Sequence, residues 1–106
     1  MKNLLLVLAL ILTMFGCTLN KQADQEIWLD VRTAEEFAAG HVINAINIPF
    51  DVIEDNIASI TTDKNATIYV YCKSGRRAGI ALQSLESLGY TNVVNKGGYE
   101  ELKQSK

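Results

Sequence analysis

The chain predicts a small α/β domain, a mainly parallel sheet with helices on both faces. Residues 27–31 and 67–71 are strand-length runs dominated by apolar, β-branched and aromatic side chains, which suits strands covered on both sides. Helical patterns follow each run across connections of a few residues, as strand–helix–strand units require. The length of 106 residues, about 90 once an N-terminal signal is removed, supports one modest core and not two.

Each element has its own local reason. Ile27-Trp28-Leu29-Asp30-Val31 forms the first strand, and Thr33-Ala34-Glu35-Glu36 after it matches a capping box, in which Thr33 and Glu36 satisfy each other's backbone N–H. The short helix this starts, residues 34–39, should end at Gly40. Residues 42–48 return to β-type composition until Pro49 stops them. Asp51 is then placed to cap a helix carrying Ile53, Ile57 and Ile60 at helical spacing. Residues 61–65 are rich in turn formers, and the strand over residues 67–71 follows. Ala78, Ala81, Leu82, Leu85 and Leu88 make one apolar stripe closed by Gly89. A short strand at 92–95, a turn at Gly97-Gly98 and a last helical turn or two at 99–103 complete the domain, expected to span residues 26–106.

The N-terminus has a separate logic. Lys2 precedes nine apolar residues, Leu4 to Leu12, too few to span a bilayer, which predicts a bacterial export signal over residues 1–16. Gly16-Cys17 after it resembles the lipobox of bacterial lipoproteins, with Met14 and Phe15 in place of the usual leucine and small residue. That resemblance implies cleavage before Cys17, lipidation of Cys17 and membrane attachment through the lipid, with the polar residues 17–25 as a tether. Ordinary cleavage nearby, giving a soluble periplasmic or secreted product, is the competing reading, and an uncleaved anchor is a third. Ten basic residues face twelve acidic ones, and losing Lys2 with the signal takes the net charge from −2 to −3. That balance argues against nucleic acid as a partner.

Cys72-Lys73-Ser74-Gly75-Arg76-Arg77 carries the chemistry. A strand delivers a cysteine into a short cationic loop at a helix N-terminus, where backbone N–H groups, the helix dipole and three cations all favour a thiolate over a thiol. The site would lie just beyond the carboxyl end of a strand, where open parallel sheets bind ligands. Two duller readings compete: Cys72 as a small buried hydrophobe, and the cations as a solvated loop. Three cations within five residues, with no acid among them, favour a nucleophile that attacks an anionic substrate. If Cys17 is lipidated, Cys72 is a lone exported thiol, which also asks for a chemical reason.

From Trp28 to Leu102 the residues resemble the rhodanese family of sulfurtransferases. The matching pieces are Leu29-Asp30-Val31-Arg32, Glu35-Glu36-Phe37, Gly40-His41-Val42 with Ala45, Ile48-Pro49, Tyr71-Cys72 through Arg77, and Gly97-Gly98. The resemblance implies a single rhodanese-like domain in which Cys72 takes the outer sulfur of a small anionic donor such as thiosulfate. The resulting persulfide then passes that sulfur to a thiophilic acceptor, cyanide or a thiol, with no cofactor and no metal. Lys73, Ser74, Gly75, Arg76 and Arg77 would bind the donor, while Asp30, Arg32, Glu36 and His41 would be structural support. A cysteine-dependent phosphatase or arsenate reductase is the enzymatic alternative, but such loops place arginine six positions after cysteine, and here that position is Ala78. Thioredoxin-like exchange lacks a second cysteine two residues beyond the first. A noncatalytic binding or sulfur-sensing module is the remaining alternative, weakened by the presence of Cys72.

Overall fold

In the computed structural model, which describes residues 26–104, four strands form one parallel sheet in the order β2-β1-β3-β4. The strands are β1 (Glu26–Asp30), β2 (Ile46–Asn47), β3 (Thr67–Cys72) and β4 (Val93–Gly98). Between and after them lie α1 (Ala34–Ala39), α2 (Ile53–Asn56), α3 (Arg76–Ser87) and α4 (Tyr99–Gln104). The expected export signal, the Cys17 lipidation site and the tether fall outside the described residues.

Alternation along the strands divides the core into two layers. Leu29 and Val31, with Ile68, Val70 and Cys72, pack against Ile53 and Ile57 around α2 and against Ala78, Ala81 and Leu85 of α3. Tyr71 faces the other way, with Val42 and Ala45, against Phe37 of α1 and Tyr99 and Leu102 of the α4 side. Helices therefore cover both faces, as the sequence predicts. Trp28 and Tyr69, nearer the start of their strands, are only partly buried, with ring centroids 4.9 Å apart.

The capping box of α1 forms as the sequence predicts. Glu36 N–H donates to Thr33 Oγ1 at 3.2 Å and Thr33 N–H to Glu36 Oε1 at 3.0 Å. The helix ends at Gly40, whose φ of 151° brings the chain so close to Tyr99 that a Cβ would meet its hydroxyl.

Four elements differ from their sequence patterns. The β-type run at 42–48 yields only the two-residue β2, because residues 42–45 form a turn with Asn44 at φ 66°. That turn points both Val42 and Ala45 at Tyr71, which an alternating strand would not do. The helix expected after Asp51 is broken into 3-10 turns Phe50–Val52 and Ile57–Ser59 on either side of α2, and Asp51 provides no side-chain cap. Ile53 and Ile57 are nonetheless buried, so the apolar spacing survives the change of helix type. β4 runs on through Gly98, where a turn was expected: Val70 pairs with Asn95 but Cys72 with Gly98, a bulge on the β4 side. Leu88, the last member of the expected α3 stripe, is 38% exposed because the helix has already ended at Ser87.

Candidate active site

β3 carries Cys72 to the carboxyl edge of the sheet, and the chain reverses there into α3. The reversal requires Gly75, which caps α3 with φ 96°, a left-handed conformation that strains other residues. It turns backbone amides inward onto the sulfur: Gly75 N–H donates to Cys72 Sγ at 3.0 Å and Ala78 N–H at 3.4 Å. Burial pushes the Cys72 thiol up, but the N–H groups of Ala78, Ser74, Gly75 and Arg77 outweigh it and hold the thiol below its ordinary value. The loop thus favours the charged form of the sulfur although Cys72 is only 1% exposed.

The three loop cations have different surroundings. Lys73 and Arg76 are exposed. Arg77 is half-buried and forks onto Glu36, Nη1 to Oε1 at 2.8 Å and Nη2 to Oε2 at 3.1 Å. This pair bolts the start of α3 to the start of α1, and Arg77 holds the Glu36 carboxyl down at about 2. Glu36 thereby serves both the helix cap and the loop. Ser74 is exposed and contributes its N–H to the sulfur.

Asp30 and Arg32 lie on the opposite face of the sheet from Cys72, both buried. Arg32 Nε and Nη2 grip the Asp30 carboxylate, the shortest contact being 2.6 Å, and Nη2 also donates to the Gly40 carbonyl at 2.7 Å. The Tyr71 hydroxyl donates to Asp30 Oδ2 at 2.8 Å and accepts from Val42 N–H at 3.0 Å. Burial raises the Tyr71 hydroxyl pKa well above its ordinary value, so it remains a donor. His41 is exposed, stacks on Phe37 with ring centroids 3.6 Å apart, and places Nδ1 2.9 Å from the Phe37 carbonyl.

Asn95 has a role that no local pattern flagged. Its amide donates to the Gly75 carbonyl at 3.0 Å and its Oδ1 accepts from Gly97 N–H at 2.9 Å, tying the loop to β4. Beside it, a Cβ on Gly98 would overlap the Lys73 carbonyl oxygen. The spare asparagine in a β-type run, two residues before a Gly-Gly pair, was the available signal.

Comparison with known proteins agrees with this geometry. Residues 18–105 match the model of the rhodanese-like domain. The chain is 43% identical over 81 residues to the thiosulfate sulfurtransferase PspE of Escherichia coli strain K12, covering 76% of this chain and 78% of that protein. A solved structure described as a rhodanese with anions from E. coli superposes with a TM-score of 0.70 at 44% identity, covering 73% of this chain and 91% of that one. The human single-domain sulfurtransferase TSTD1 superposes at 0.68 with 27% identity, over 90% of this chain and 94% of its own. A cysteine cradled by loop amides at the carboxyl edge of a parallel sheet, and a match over most of the length, together place the chain in the rhodanese-like domain family.

Proposed function

We propose that the chain is a thiosulfate sulfurtransferase working through a persulfide on Cys72. The observation that carries this reading is the Cys72 sulfur held by inward-turned amides that keep its pKa down. The Cys72 thiolate attacks the outer sulfur of thiosulfate, the S–S bond of the donor breaks, and sulfite leaves with the bonding pair. The outer sulfur, now anionic on Cys72, lies among N–H donors of the loop, which suit the charge that develops there. Cyanide or a thiolate then attacks that sulfur, and Cys72 departs as thiolate, restoring the starting state. Lys73 and Arg76 are the exposed cations beside the nucleophile and would draw in the dianionic donor. Arg77, committed to Glu36, contributes charge and its backbone N–H.

Intact-mass measurement of the protein after incubation with thiosulfate tests this. One added sulfur is expected, removed by cyanide and missing in Cys72→Ser. A protein that acquires no sulfur would instead be a binding module.

The same reading includes export and lipid attachment at Cys17, supported by the Lys2 and Leu4 to Leu12 pattern and by Gly16-Cys17. Mass spectrometry of the mature N-terminus should find a diacylated Cys17. An unmodified terminus, or one that starts elsewhere, rejects the lipoprotein while leaving the sulfur chemistry in place.

A further inference from the structure

The face of the sheet that carries Tyr71 is covered by two six-residue helices, α1 and α4. At about 1.5 Å per residue each is roughly 9 Å long, less than half of the roughly 20 Å that the six residues of β3 span. Both pack around Tyr71, through Phe37, Tyr99 and Leu102, in the carboxyl half of the strands. The opposite face has the twelve-residue α3, about 18 Å long, which matches the strands.

The half that the short helices leave open carries a row across three strands. Trp28 on β1 is the register partner of Tyr69 on β3, and Tyr69 is the partner of Val94 on β4. The two rings are half-buried and Val94 is 40% exposed. Lys96, also exposed, lays its ammonium over both rings, 5.2 Å from the Tyr69 centroid and 5.8 Å from that of Trp28. At the amino rim the Tyr69 hydroxyl donates to Glu26 Oε2 at 2.9 Å. Rings with a polar tip, an apolar neighbour and a lysine able to extend its ammonium outward are the side chains that settle at a membrane–water boundary.

Position favours a bilayer over a protein as the occupant. Trp28 follows Glu26 by two residues, and residues 17–25 link Glu26 to the lipidation site by at most about 30 Å of chain, at roughly 3.5 Å per residue. A lipid on Cys17 keeps this half of the sheet beside the headgroups, at an effective concentration that lets even a small patch stay occupied. We propose that the surface of Trp28, Tyr69, Val94 and Lys96 docks on the phospholipid bilayer, a step that rests on the lipid attachment at Cys17 read above. The rings and Val94 meet the headgroup–acyl boundary, and the Lys96 ammonium meets lipid phosphates. Because Cys72 packs on the other side of the sheet, docking turns the nucleophile toward water, where its anionic donor is dissolved.

Trp28 is the only tryptophan of the chain, so its fluorescence reports this contact alone. The protein as isolated from membranes is placed in vesicles of phosphatidylethanolamine and phosphatidylglycerol, with and without bromine on the upper acyl chains. Bromine should lower Trp28 emission about twofold, since interfacial groups sit about 5–10 Å into that boundary. Lys96→Glu and Val94→Glu should each restore most of the emission while the protein still floats with the vesicles. Unquenched Trp28 in floating wild-type protein overturns the docking surface and leaves the lipid anchor standing. Quenching that survives both substitutions overturns it too, because the anchor alone then brings Trp28 to the bilayer. Emission that changes with protein density and not with bromine is the sign of a second copy on this face, and has the same force. If the isolated protein carries no lipid, the lipoprotein reading fails. Bromine quenching of that unanchored protein at millimolar lipid still decides the face, and its absence there overturns the proposal.

Discussion

Cys72 combines near-complete burial with a lowered pKa, and the two are reconciled by geometry: the amides that bond the sulfur also exclude water from it. Of the backbone N–H groups, helix dipole and loop cations that the sequence pointed to, the groups that hold the thiol down are the backbone N–H donors of Ala78, Ser74, Gly75 and Arg77. Alkylation of Cys72 measured against pH should therefore show a midpoint below the ordinary thiol value. Neutralising the exposed Lys73 to Ala should move that midpoint little, and a large upward move would return the credit to the side chain. Glu36 makes a second prediction. Its folded pKa of about 2 lies below the ordinary 4.5, so its contribution is fully present above the ordinary value and is lost as pH falls through about 2. Glu36→Gln should cost about 1 kcal/mol in denaturant unfolding at neutral pH, the upper range for a partly exposed pair, with the gap from wild type closing in strong acid. A pH-independent gap would mean that the helix cap alone carries the effect.

At the scale of elements, what was legible in the sequence was what neighbouring residues decide. The Thr33–Glu36 cap, the Gly40 stop, the β3-to-α3 entry and the Ala78, Ala81, Leu85 face all depend on residues within a few positions of each other. The turn at 42–45 depends on Tyr71, far along the chain, and the loop clamp depends on Asn95, 20 residues beyond Gly75, so neither could be read locally. The bulge in β4 has the same origin. Gly97 and Gly98 looked like an ordinary turn, yet Gly98 is needed because the Lys73 carbonyl passes where its side chain would be. Gly98→Ala should accordingly push the Cys72 loop outward, costing about 1–3 kcal/mol in stability, typical of overpacking against backbone. It should also lower the rate of sulfur uptake. Unchanged stability and uptake would show that the loop relaxes without strain.

Across the whole molecule, the face of the sheet opposite the nucleophile is held by one polar network rather than by apolar packing alone. Asp30 on β1 binds Arg32 and Tyr71, Tyr71 on β3 receives the turn at Val42, and Arg32 reaches the end of α1 at Gly40 while stacking on Tyr99 of α4. Asn47 of β2 joins through the Asp30 and Arg32 carbonyls at 2.9 and 3.1 Å. Among the described residues every buried side-chain nitrogen and oxygen has a partner, so the network is fully satisfied, the condition under which such groups fix a unique packing. Removing different members should cost different amounts. Tyr71→Phe leaves the Asp30–Arg32 pair intact and strands one backbone N–H, at about 1–3 kcal/mol. Asp30→Ala leaves the Arg32 guanidinium buried with no carboxylate, at about 3–5 kcal/mol, a large share of the roughly 5–15 kcal/mol total of a small domain. In a domain of this size each kcal/mol lowers Tm by about 4–8 °C, so thermal unfolding separates the two variants clearly. An Asp30→Ala protein melting no lower than Tyr71→Phe would show that water or a rearranged Arg32 takes over the carboxylate's role, and that the network does not hold this face together.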